Sequence, residues 1–156
     1  MNTEERRQKV LVRLEKADKP VTGTALAREF QVSRQIIVGD ISIIRAMGKK
    51  IYATPRGYLI PSGERKPQGL MATLVCEHTA AGMQQELEII VDHGGHVHDV
   101  IVEHPLYGEI RADLLLFTRR DVDAFVKRMT ECEGTPLSTV TRGVHLHTIE
   151  VPDENA

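Results

Sequence analysis

The run Pro61-Ser62-Gly63-Glu64-Arg65-Lys66-Pro67-Gln68-Gly69 constrains the fold more than any other stretch of the chain. Proline and glycine interrupt helix and strand alike, and charged residues between them favour solvent. The chain on either side differs in kind. Residues 1–61 carry twelve Lys and Arg against six Asp and Glu, a net charge of +6, whereas residues 62–156 carry eight against sixteen, a net charge of −8. All seven histidines lie in the second part. The expected organisation is therefore a first domain over 1–61, a linker over 62–69 and a second domain over 70–152. A basic module joined to an acidic, histidine-rich one points to polyanion binding coupled to a chemical or sensory task. No apolar run approaches a membrane span, and the N-terminus lacks a signal-peptide pattern. Cys76 and Cys132 form neither a CxxC pair nor a disulfide framework. A cytoplasmic protein with no membrane partner is expected.

In the basic module, residues 4–17 predict a first helix with Val10, Leu11 and Leu14 inward and Arg6, Arg7, Lys9 and Arg13 outside. Pro20 ends it, because proline disfavours helix in the residue before it. Thr22 is placed to cap a short second helix over 24–30, with Leu26, Ala27 and Phe30 inward. Ser33 is placed to cap a third, its hydroxyl accepting from a free N–H of the first turn. Ile37, Ile41 and Ile44 recur at helical spacing and predict its buried face. Gly48 supplies the stop. The opposite face carries Arg34, Gln35, Val38, Ser42 and Arg45, and Arg or Gln near a helix N-terminus can reach base edges in a major groove. Residues 50–54 and 58–60 predict a hairpin turning at Pro55-Arg56-Gly57. Arg56 at its tip suits a minor groove or a phosphate.

From Val21 to Ile60 the chain resembles the winged helix-turn-helix of the biotin-repressor type. The matching pieces are Leu26-Ala27, Val32-Ser33-Arg34-Gln35, Asp40-Ile41, Met47-Gly48 and Gly57-Tyr58. Gly39 departs from the pattern, where a larger polar residue is usual. Mid-helix it costs about 1 kcal/mol relative to alanine.

In the acidic module, residues 70–76 predict a buried strand and 83–92 a helix with Leu87, Ile90 and Val91 inward. Strands follow over 96–103 and 109–117, a helix over 119–131 with a capping-box start at Thr118 and Asp121, and a last strand over 143–151. The expected class is α+β, and the order β-α-β-β-α-β matches a ferredoxin-like split unit. Antiparallel pairing of the first and last strands brings His78 to His145 and His147, which leave one face of a strand together. Converging histidines with a carboxylate, for which Glu86 is the best candidate, suit Zn, Ni or Fe rather than Ca or Mg. Cys76 shares a strand face with His78, which leaves a sulfur ligand open, but it reads as a small buried residue. His93 and His96 read as solvated, and His98 as a surface histidine.

Residues 70–150 resemble the 3H domain, and the whole chain resembles the niacin-responsive repressors of NAD biosynthesis. The resemblance rests on Ser33 to Val38 with Asp40-Ile41, Glu86-Leu87, Ile90-Val91-Asp92-His93-Gly94-Gly95, Val102-Glu103-His104-Pro105-Leu106-Tyr107-Gly108 and Gly143-Val144-His145-Leu146-His147. It implies a metal site at His78, Glu86, His145 and His147 holding one divalent transition metal ion per subunit, nickel or zinc. It further implies a conserved turn at His104, Pro105, Tyr107 and Gly108, a homodimer, operator DNA as partner and nicotinic acid or a related pyridine as corepressor. His104 and Tyr107 are the candidate effector contacts. The competing reading is a metalloenzyme fused to a DNA-targeting domain. The chain shows no Ser/His/Asp set or HExxH motif to support it.

Overall fold

The computed structural model describes residues 1–61 and 67–156 of the 156-residue chain. It forms two compact units, Met1–Arg65 and Lys66–Ala156. Most of the expected linker over 62–69, namely residues 62–66, lies outside the described residues. Among the described residues no helix is long and apolar enough to cross a membrane.

The first unit has helices α1 (Thr3–Glu15), α2 (Gly23–Glu29) and α3 (Arg34–Ala46), then strands β1 (Tyr52–Thr54) and β2 (Gly57–Leu59). Each helix starts on a side-chain cap. Asn2 and Glu5 form a capping box on α1, the Thr22 hydroxyl accepts from the Ala25 N–H, and the Ser33 hydroxyl accepts from the Ile36 N–H. Such caps satisfy donors that the first turn cannot pair within the helix, at about 1 kcal/mol each. Val10, Leu14, Leu26, Ala27, Ile37, Ile41 and Ile44 form the core, and Phe30 packs partly buried against it. A fully buried Leu or Ile contributes about 1.5–3 kcal/mol.

Arg6 and Arg7, expected outside, instead turn inward. Asp40 is buried on α3 and accepts from Arg6 at 2.6 and 3.2 Å and from Arg7 at 3.2 Å, which ties α1 to α3. A buried carboxylate demands such partners. Helical periodicity alone could not place them.

The hairpin turns at Pro55-Arg56 between paired Thr54 and Gly57. Val21 and Tyr58 exchange both backbone hydrogen bonds at 2.8 Å and pin the hairpin to the helices. Gly57 (φ +126°) permits this, since a Cβ there would stand 2.5 Å from the Val21 carbonyl. Arg56 is half-buried in the turn and not extended from an open tip.

The second unit runs β3 (Leu70–Glu77), a 3₁₀ turn at Ala80–Gly82, α4 (Met83–Asp92), β4 (His96–His104), β5 (Gly108–Leu116), α5 (Arg119–Glu131), a 3₁₀ turn at Leu137–Thr141 and β6 (Val144–Val151). The α+β class and the element order are those expected. The strands lie in the order β3-β6-β4-β5 and every pair is antiparallel, which keeps the expected pairing of the first strand with the last and sets β6 and β4 in the middle of the sheet.

β3 is consequently an edge strand and not the buried strand that its composition predicts. Leu70, Met71 and Val75 are exposed, and only Leu74 and Cys76 are half-buried. Leu87 and Ile90 of α4, Val122 of α5, Val97, Leu114, Leu116 and Ile149 make the core. The capping box at Thr118 and Asp121 forms as expected.

Candidate metal centre and nucleic-acid interface

The outer surface of α3 is not one face but two strips and a flank, as 100° per residue requires. Gln35, Gly39 and Ser42 lie opposite the buried isoleucines and are exposed. Arg34, Val38 and Arg45 lie to one side, with Val38 half-buried. Arg45 donates from Nε to the Ile51 carbonyl at 2.9 Å, holding the start of the hairpin against α3. Ser42 donates back to the Val38 carbonyl, and Ser33 is engaged in the cap. The side chains left to reach outward from the helix are chiefly those of Arg34 and Gln35. The other flank carries Ile36, Ile43 and Met47, all exposed. The sequence reading gave these three no role. Exposed apolar residues on a groove-facing helix can touch a thymine methyl.

In the second unit, His78 follows β3, Glu86 stands on α4, and His145 and His147 are buried on β6. All four meet. The Glu86 carboxylate receives His147 Nε2 at 2.6 Å, His145 Nε2 at 3.2 Å and His78 Nε2 in close contact. The ring centroids of His78 and His145 are 4.8 Å apart, and those of His145 and His147 4.9 Å. Each imidazole is held from behind. Nδ1 of His78 donates to the Thr79 carbonyl at 2.7 Å, that of His145 to Gly143 at 2.8 Å and that of His147 to Asp99 at 2.6 Å. A carbonyl can only accept, so Nδ1 carries a proton on every ring, and all three Nε2 atoms converge on the Glu86 carboxylate.

Two backbone devices make this possible. β4 carries a bulge relative to β6 between Val97 and Ile101. The bulge turns the Asp99 carbonyl toward His147, while the Asp99 carboxylate takes the Thr148 N–H at 2.9 Å and Arg111 at 2.7 Å. Gly143, at φ +100°, leads into β6, and a Cβ there would lie 2.3 Å from the His78 carbonyl oxygen. Neither Asp99 nor Gly143 could be assigned this task from sequence, since the bulge and the close approach exist only in the sheet.

The electrostatics follow from the crowding. Burial opposes ionisation of Glu86, but its bonds to His145 and His147 outweigh burial and hold the carboxyl well below the usual range. The bond to Glu86 raises His145 against the opposing effect of burial. Burial, then the charge and hydrogen bond of Glu86, push the Cys76 thiol up to about 11. Cys76, read from the sequence as a small buried residue, is instead half-buried beside this group: its sulfur, a Glu86 oxygen and a His145 nitrogen lie within 4.8 Å of one another. Three imidazoles whose Nε2 atoms meet on one carboxylate, each with a carbonyl-braced Nδ1–H, are a donor set that a divalent transition metal fits, the ion displacing the protons now shared with Glu86.

His93, His96 and His98 stay outside the cluster. His93 bonds the Ile89 carbonyl, His98 pairs with Glu150 at 3.2 Å, and His96 is half-buried on the Phe117 ring rather than solvated. At the β4–β5 turn, His104 Nδ1 accepts from the Leu106 and Tyr107 N–H groups at 3.1 and 3.3 Å, and the His104 and Tyr107 rings lie tilted at 36° with centroids 5.0 Å apart. Tyr107 is exposed. Ile101 pairs with Leu146, so the turn leaves the sheet at the end where β6 begins, the end that holds the cluster.

Residues 71–156 match the 3H domain, and residues 6–59 match a helix-turn-helix domain. The chain is 43% identical over 151 residues to the probable transcription repressor NiaR of Thermotoga maritima, covering 97% of this chain and 85% of the relative. It is 39% identical over 151 residues to the transcription repressor NadR of Bacillus subtilis, covering 96% and 84%. The chain belongs to this family of 3H-domain transcription repressors. It is a regulator and not an enzyme, so the metalloenzyme reading falls. In the repressor, the helix-turn-helix unit implies DNA binding.

Proposed function

We propose that this repressor controls genes of NAD biosynthesis or niacin uptake, binding operator DNA in the cytoplasm as a homodimer with nicotinic acid as corepressor. The observation that carries the reading is the convergence of three imidazole Nε2 atoms and Glu86 in the same chain as an exposed recognition helix. In this reading His78, Glu86, His145 and His147 hold one nickel or zinc ion per subunit. When bound, the ion supplies positive charge within an acidic domain and a coordination position for a pyridine nitrogen or a carboxylate. His104 and Tyr107 supply hydrogen-bonding and stacking surface at the same end of the sheet.

Arg34 and Gln35 read base edges in a major groove, with Ser33, Val38, Ser42 and Arg45 shaping the helix behind them and Arg56 on the hairpin beside the duplex. A two-fold dimer reads a palindromic site. Linkage requires that nicotinic acid and operator raise each other's affinity by the same factor, ordinarily about 5- to 150-fold. The test is an operator titration with and without nicotinic acid, on the wild-type chain and on a His145→Ala/His147→Ala variant. Ligand-dependent tightening in wild type and none in the variant is expected. Equal operator affinity with and without ligand in wild type removes the corepressor.

A further inference from the structure

We propose that Cys76 is a ligand of the metal centre and binds the ion as a thiolate beside Glu86 and His145. The proposal rests on the metal reading above and adds to it a donor of a different chemical class.

The argument begins with register. In the antiparallel β3–β6 pair, Cys76 lies directly opposite His145, and Leu74 directly opposite His147. Directly opposed residues share a sheet face with Cβ atoms about 4.5–5.5 Å apart. Cys76 therefore leaves β3 on the side where both β6 imidazoles leave theirs, and His78 continues that side two residues on. The distances agree. The Cys76 sulfur, a Glu86 oxygen and a His145 nitrogen fall within 4.8 Å of one another. Sulfur and nitrogen donors on one tetrahedral zinc ion, with bonds of about 2.3 Å and 2.1 Å, stand about 3.6 Å apart. Closure by about 1 Å, within the reach of a side-chain rotation, brings sulfur into the shell.

Packing does not account for the thiol. The core of this unit is made by other residues, and Cys76 stands half-buried on an edge strand with its sulfur toward a carboxylate instead of an apolar wall. A thiolate would bias the centre toward zinc, cobalt and nickel and away from magnesium and manganese, which a purely nitrogen and oxygen set does less strongly.

Cys132 is the other cysteine of the chain and is exposed. A Cys132→Ser variant of the 156-residue chain therefore makes Cys76 its sole thiol, and cobalt(II) serves as the probe. Cobalt titration is expected to give visible d–d bands together with an intense near-ultraviolet thiolate-to-cobalt charge-transfer band. The Cys76→Ser/Cys132→Ser variant is expected to keep the d–d bands, lose the charge-transfer band and bind cobalt about tenfold more weakly. Visible bands without charge transfer in the Cys132→Ser chain overturn the Cys76 proposal alone and leave the histidine and glutamate centre standing. The absence of any cobalt spectrum in that chain and in wild type overturns both. The decisive reading comes from a chain in which Cys76 is intact, so it does not depend on how the double variant folds.

Discussion

Helix α3 and the histidine cluster are both polar sites, and they are built in opposite ways. On α3, Arg34 and Gln35 are neighbours in sequence, exposed, and stand on a helix anchored from behind by Ile37, Asp40, Ile41 and Ile44. In the cluster, donors come from the end of β3, from α4 and from β6, with Glu86 and His145 separated by 59 positions, and nearly every polar atom is already engaged. A surface that meets a hydrated duplex can leave its side chains to settle on contact. A metal centre must hold its donors in place beforehand, because each unheld imidazole would have to be ordered as the ion binds.

The largest effect expected from disturbing this contrast is loss of the ion. A His145→Ala/His147→Ala variant should fall from about one bound transition metal per chain to almost none by elemental analysis. Unchanged stoichiometry would mean that the cluster is held together by hydrogen bonds alone.

The pH response sharpens the same point and has two signs. Without metal, the raised His145 stabilises the fold at low pH and loses that contribution as pH rises through its folded value, above the ordinary 6.5. The depressed Glu86 contributes above its ordinary 4.5 and loses that contribution as pH falls through its folded value. The chelator-treated protein should therefore draw most from the pair between those two ordinary values and melt at lower temperature toward pH 8. With zinc the trend should reverse, since the ion displaces protons and its affinity rises about tenfold per pH unit for each proton released. A melting temperature that rises toward pH 8 in the presence of chelator would contradict the assigned pairing.

On the helix, Arg34→Ala should cost about 1–3 kcal/mol of operator binding and relax selection at one base pair. A loss equal for all DNA sequences would reassign Arg34 to phosphate. Asp40→Asn should destabilise the first unit by about 1–3 kcal/mol, because it removes the charge that Arg6 and Arg7 share, while metal content stays unchanged. Denaturant unfolding with matched metal analysis separates the two. The smallest effect belongs to Gly39. A Cβ there meets nothing within 4 Å, so Gly39→Ala should stabilise the helix by up to about 1 kcal/mol, read as a raised melting temperature.

Much of the fold was legible because its causes are local. The caps at Thr22, Ser33 and Thr118, the stop at Gly48 and the isoleucine stripe of α3 depend on residues within a turn or two of each other. The convergence of His78, His145 and His147 was legible too, since it needed only the antiparallel pairing of first and last strands. The near-continuous apolar run of β3 misled, because composition reports what a strand can bury and not where in the sheet it lies.

By itself, then, the sequence determined the helices, the hairpin, the division of charge and the residues able to hold a metal or read a groove. The tertiary structure decided the rest. It set the order β3-β6-β4-β5, which leaves β3 at the edge, and drew Arg6 and Arg7 onto Asp40. It raised the bulge that braces His147, and brought the Cys76 sulfur to Glu86 and His145. Each of these depends on contacts between distant segments, whose geometry no local periodicity encodes.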